Sequence, residues 1–224
     1  IDRPGSGYSP ALPSGSQHLA DQADAVAALI DALGLEKPVL VGHSLGGALS
    51  LHVAARHPGK VGGLVLIAPA TQPVDTVPEV FRGLMVPLPL IGFVSRTIAV
   101  PLGLATRDAV LREVFKPELV PPDFVIEGGG ALAMRPSNIA AAAGDIQLAR
   151  TDAEEMVERY PELSLPVAIL YGREDNILDY RIHGERTAAQ IPGARLTLVE
   201  GGHMLPYTQP LETALWVRSV LPKE

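Results

Sequence analysis

The chain has 224 residues, 47% of them hydrophobic, with a formal net charge of −7 and no cysteine. That length and apolar content suffice to bury a sizeable core without covalent staples, most simply as one domain carrying an insertion. The acidic balance argues against nucleic-acid and anionic-membrane partners, and the missing cysteines exclude a disulfide framework, a thiol nucleophile and a cysteine-type zinc site while leaving the redox compartment undetermined.

The chain opens Ile1-Asp2-Arg3-Pro4, without the charged-then-apolar layout of a signal peptide. The cytoplasm is the expected compartment, with a secreted or periplasmic location left open. Residues 2–10, Asp-Arg-Pro-Gly-Ser-Gly-Tyr-Ser-Pro, are all turn chemistry and read as a loop leaving a strand that the sequence does not contain. Over 16–33 the apolar set Leu19, Ala23, Val26, Ala27, Ile30 and Leu33 follows helical spacing, and Gly34 supplies a left-handed end.

The apolar run Pro38-Val39-Leu40-Val41 then leads into Gly42-His43-Ser44-Leu45-Gly46-Gly47 and a helical stretch through Arg56. Strand, tight turn and helix in that order are the context of a nucleophile elbow. Glycines two positions before and after Ser44 would clear side chains from a strained turn, and the helix N-terminus would face developing negative charge. A second buried strand is expected at 64–68, between Gly62-Gly63 and Pro69.

The strand–helix rhythm breaks over 71–160, which holds many prolines, the run Gly128-Gly129-Gly130 and short helical segments such as 139–149. We read it as an inserted cap over the strand C-terminal ends, where ligands bind in open α/β sheets; an ordinary run of covering helices is the plainer alternative. Its most apolar window, 83–105, is interrupted by Pro87, Pro89, Arg96 and Pro101, which argues against a spanning helix. Phe81, Met85, Leu88 and Phe93, with Leu84 and Ile91 beside them, are candidates to line a substrate pocket, or equally to form the core of the cap. Strands at 167–171 and 195–199, a helix around 180–190 and a last helix at 211–220 complete the pattern. Strands alternating with helices imply an α/β fold with a mostly parallel sheet, its core formed by residues 1–70 and 161–224.

A serine hydroxyl needs a histidine to take its proton, and that histidine needs a carboxylate to hold its tautomer. His203, in Gly201-Gly202-His203-Met204, follows the last strand, and Asp175, in Gly172-Arg173-Glu174-Asp175, follows the one before it. Both fall at strand C-terminal ends, in the order serine, acid, base expected of this elbow. Glu174 and Asp179 compete with Asp175 but read more simply as loop charges or helix caps. His43 is expected to pack rather than react, and His18, His52, His57 and His183 to take surface or satisfied core roles. No histidine pair lies in a metal-type motif, so no metal or cofactor is expected.

Together these residues resemble the α/β-hydrolase family, and more narrowly its bacterial members with Asp-Arg-Pro-Gly-Ser-Gly-Tyr-Ser before the elbow and Gly-Gly-His-Met after the last strand. The resemblance implies Ser44 as nucleophile, Asp175 as orienting acid, His203 as general base and the Leu45 backbone N–H as one oxyanion donor. A serine in the elbow argues against the dehalogenase and epoxide-hydrolase branches, which place an aspartate there. The implied activity is hydrolysis of a small apolar carboxylic ester. Amide, lactone, carbon–carbon or peroxide chemistry on the same residues is the first alternative, and a catalytically weak binding protein the second.

Family members usually carry three or four strands, and a His-Gly type motif supplying a second oxyanion N–H, ahead of the stretch that opens this sequence. Neither is present, so the chain is expected to be part of a longer hydrolase, with the elbow strand at an open sheet edge. A missing segment or a second copy would pair there.

Overall fold

The computed structural model describes residues 1–221. Four parallel strands, β1 (Val39–His43), β2 (Gly63–Ile67), β3 (Val167–Gly172) and β4 (Arg195–Val199), form one sheet in the order β1-β2-β3-β4. Val41 pairs with Val65, Leu66 with Ile169, and Tyr171 with Leu198, so all four C-terminal ends point to one edge. Parallel strands need crossovers. These are α2 (Leu45–Arg56) between β1 and β2, the long excursion through α3 (Leu88–Thr97), α4 (Ala99–Phe115) and α5 (Pro136–Arg159) between β2 and β3, and a π-helical turn Arg181–Glu185 running into α6 (Arg186–Gln190) between β3 and β4.

Alternation along the strands divides the core between the two faces of the sheet. Leu64, Leu66, Val167, Ile169 and Tyr171 join the main core with Leu19, Val26 and Ile30 of α1 (Leu19–Ala32), with Leu51 and Val53 of α2, and with Met156 of α5. Ile67 and Leu170 point to the other face, against Leu205 of the short α7 (Leu205–Thr208) and Trp216 and Val217 of α8 (Pro210–Val220). Because β2 and β3 are covered on both faces, every residue in them is buried, which is why their sequences are unbroken apolar runs. β1 lies at the sheet edge, and its Val41 is 52% exposed.

Helix α5 extends well past the 139–149 read from its alanines. Its second half is polar in sequence, yet Asp152, Ala153 and Met156 are buried against the main core. Asp152 accepts from the Leu19 N–H (3.0 Å) and His18 Nδ1 (2.8 Å), so the N-terminus of α1 is capped from a distant helix and by none of its own side chains. Asp145, two turns of α5 earlier, holds Arg3 (2.7 Å) and Gln22 (3.1 Å), which ties the opening loop and α1 to the same helix. Helices α3 and α4 meet at a bend of 79°, and among the described residues no single helix is long and apolar enough to cross a membrane.

Candidate active site

Ser44 sits between β1 and α2 with φ +53° and ψ −121°, a backbone conformation that side-chain-bearing residues rarely adopt. Tertiary hydrogen bonds hold it there. Its N–H donates to the Ile67 carbonyl (2.9 Å), and its own carbonyl accepts from Gly47 (3.0 Å) and Ala70 (3.1 Å). Of the glycines around it, Gly42 is required: a Cβ there would collide with the backbone of Gly46 and stand 2.7 Å from the Gly47 nitrogen. Gly46 meets open space, contrary to the expectation that it too clears the turn. The second close approach belongs instead to Gly47, whose added Cβ would lie 2.5 Å from Pro69 Cβ.

His203 follows β4, and its Nε2 is 3.0 Å from Ser44 Oγ while its Nδ1 is 2.8 Å from Asp175 Oδ2. Asp175, on the turn after β3, spends its other oxygen on the N–H groups of Ile177 and Leu178, both at 2.9 Å. The carboxylate is therefore acceptor-only toward His203, Nδ1 carries the ring proton, and Nε2 is left to accept from the Ser44 hydroxyl. The Asp175 side chain is wholly buried and that of His203 nearly so. Of the competing carboxylates, Glu174 is exposed and Asp179 accepts from the Arg181 N–H (2.9 Å) at the start of the π-helical turn.

His43 packs its ring against that of His203, with centroids 5.0 Å apart, and its Nε2–H donates to the His203 carbonyl (2.9 Å). Burial holds its basicity down to about 4, so the ring is neutral near pH 7. The Leu45 N–H, at the first position of α2, has no backbone partner among the described residues and lies beside Ser44, where a developing oxyanion would find it.

A cavity of about 250 Å³ opens beside Ser44 between the sheet and the excursion. Phe81 lines it. Met85, Leu88 and Phe93 do not: they are 50%, 42% and 69% exposed, Met85 in the stretch before α3 and the other two because α3 turns Ile91 and Ser95 inward and leaves its opposite arc outside. The apolar wall comes instead from Ile146, Ala149, Ala153 and Met156 of α5, with Leu178 after β3. The spacing of the four α5 residues, i, i+3, i+7 and i+10, is a helical stripe that was readable but hidden among charged neighbours. His52 and His183 also line the cavity, and burial lowers the basicity of both, that of His183 to about 4.

Among the described residues no group of three or more histidine, aspartate and glutamate side chains is placed to hold a metal ion. Residues 1–90 match the family model described as alpha/beta hydrolase fold. A 2-hydroxy-6-oxo-6-phenylhexa-2,4-dienoate hydrolase of Burkholderia cepacia is 27% identical over 198 residues, 87% of this chain and 66% of that one. Among solved structures, an alpha/beta hydrolase fold protein from Burkholderia ambifaria superposes with a TM-score of 0.77 at 22% identity, over 97% of this chain and 78% of its own. A thermophilic esterase from Thermogutta terrifontis gives 0.69 at 25% identity, over 98% and 78%. The chain thus spans about two thirds of the length of the Burkholderia cepacia relative and about three quarters of these two structures.

Proposed function

We propose that the chain, whose residues 1–90 match the alpha/beta hydrolase fold model, is a serine hydrolase acting on small, largely apolar carboxylic esters. The observation that carries this reading is the relay Ser44–His203–Asp175 placed at an apolar cavity of about 250 Å³, just under the size of most small-molecule sites.

In this mechanism Ser44 Oγ attacks the ester carbonyl carbon as its proton passes to His203 Nε2. The tetrahedral oxyanion accepts from the Leu45 N–H, and Asp175 stabilises the imidazolium. Collapse breaks the carbon–oxygen bond, and the leaving alkoxide takes the proton from His203. Water then attacks the acyl-serine, again giving its proton to His203, and collapse releases the acid and restores the Ser44 hydroxyl.

Cleavage of a carbon–carbon bond beside a ketone, with the same nucleophile and base, is the second reading. It is favoured by the similarity to the Burkholderia cepacia hydrolase along 87% of the chain. Turnover of a panel of 4-nitrophenyl esters of increasing acyl length, together with labelling by a fluorophosphonate, tests the first reading. The expected result is hydrolysis of short esters and a label on Ser44, both lost in Ser44→Ala. A protein that neither labels nor turns over any ester would sink it.

A further inference from the structure

His183 lies in the turn Arg181–Glu185, lines the cavity beside Ser44, and is only 3% exposed. Its Nδ1 accepts two backbone N–H groups, from Thr71 at 3.1 Å and Gln72 at 3.2 Å. An imidazole nitrogen that accepts carries no proton, so the ring proton is on Nε2. Desolvation, opposed by the nearby charges of Asp175 and Asp179, keeps the ring neutral at ordinary pH. The Nε2–H has no hydrogen-bond partner among the described residues.

The other polar groups around it are engaged, except Gln72 Oε1, which is buried without a hydrogen-bond partner among the described residues. The Thr71 hydroxyl donates to the His183 carbonyl (2.7 Å), the Tyr160 hydroxyl donates to the Thr71 carbonyl, and Gln72 Nε2 donates to Thr187 Oγ1 and Gln190 Oε1, each at 2.7 Å. His183 is therefore a donor of fixed identity, held rigidly on a largely apolar wall. A donor on such a wall gives up its contact with water when a ligand enters, and a ligand oxygen that meets it restores the hydrogen bond.

We propose that His183 forms a recognition subsite whose Nε2–H selects acyl groups bearing an uncharged oxygen acceptor, a ketone or hydroxyl, on a short apolar chain. A carboxylate fits poorly, because it would lose its water with no cation to receive it. Arg150, the arginine on the wall, is 56% exposed in its side chain and already pairs with Asp75 and Glu154. The proposal rests on Ser44 as nucleophile and specifies the substrate class of that site.

The test compares isosteric esters: 4-nitrophenyl 4-oxopentanoate against 4-methylpentanoate, and 5-oxohexanoate against 5-methylhexanoate. The wild-type chain is expected to favour the oxo ester in at least one pair by about 5- to 100-fold in kcat/KM. His183→Asn keeps an acceptor oxygen where Nδ1 stands but removes the Nε2–H. It should bring that ratio close to one while fluorophosphonate labelling of Ser44 and turnover of the methyl esters persist. A wild-type ratio near one in both pairs, or a preference unchanged in His183→Asn, overturns the subsite. Loss of all turnover and labelling in the wild type would instead be a failure of the hydrolase reading. Calorimetry with 4-oxopentanamide against 4-methylpentanamide and 5-oxohexanamide against 5-methylhexanamide then reads the subsite alone: tighter binding of the oxo amide in at least one pair supports it, and equal binding in both overturns it.

Discussion

Asp175 meets His203 with one carboxylate oxygen only: Oδ2 lies 2.8 Å from His203 Nδ1, while Oδ1 is occupied by the amides of Ile177 and Leu178. The carboxylate is thereby locked in rotation, and its free face can do nothing but hold the imidazole in the tautomer that leaves Nε2 open to Ser44.

Asp175→Asn is expected to keep the fold and fail in chemistry. With its oxygen retained by the two amides, the asparagine presents an NH₂ to Nδ1 and forces the ring proton onto Nε2, where it blocks acceptance from Ser44. By analogy with the same change in a serine protease, kcat should fall about 10⁴-fold with KM within a few-fold. Steady-state kinetics check this, and a loss below tenfold would remove Asp175 from the role assigned to it.

The bond from His43 Nε2 to the His203 carbonyl (2.9 Å) runs from the elbow to the loop carrying the base. His43→Phe keeps a ring of similar size and removes the donor, so His203 should sit less accurately. We expect kcat to drop about 10- to 100-fold with little change in KM. His43→Gln, whose amide can replace the Nε2–H, should recover most of the loss. A Gln variant no better than Phe would assign the effect to ring packing rather than to the hydrogen bond.

The elbow glycines should separate sharply in thermal unfolding. Gly42→Ala places a methyl group into the backbone of Gly46 and Gly47 and is expected to cost about 3 kcal/mol, or roughly 6–12 °C in Tm for a chain of this length. Gly46→Ala enters open space within helix α2, where alanine is better than glycine by about 1 kcal/mol, so stability should hold or rise. Equal losses at both positions would contradict this account of the turn.

Acid should destabilise the chain through its buried neutral histidines. His43 and His183 are both held down to about 4 in the folded state, against 6.5 for a free imidazole. Between those values the unfolded chain binds more protons than the folded one, so stability is fully present above pH 6.5, falls as pH drops through that window, and levels off below about 4 for these two groups. The contribution at stake is on the order of 3 kcal/mol per histidine. Denaturant unfolding at pH 7 and pH 4.5 measures it, and His183→Asn should flatten part of the slope.

Features that depend on neighbours along the chain are legible in the residues alone. Unbroken apolar runs mark strands buried on both faces, the Gly42–Gly47 segment between strand and helix marks the elbow, and the positions of Asp175 and His203 just past β3 and β4 place them at one edge of a parallel sheet. Parallel strands all end on the same side, so residues far apart in sequence could be assigned to one site from their place after a strand.

Which side chains face the cavity is settled by packing in three dimensions. Leu88 and Phe93 have the right chemistry but lie on the outer arc of α3, and Met85 is exposed just before it, whereas the α5 stripe from Ile146 to Met156 faces in, because the direction of a helical stripe is set by what the helix packs against. Capping of α1 by Asp152 and the fixed tautomer of His183, set by amides of Thr71 and Gln72 more than a hundred residues earlier, belong to the same class. Such hydrogen bonds join groups whose spacing in the chain carries no signal, and folding alone brings their partners within hydrogen-bonding distance.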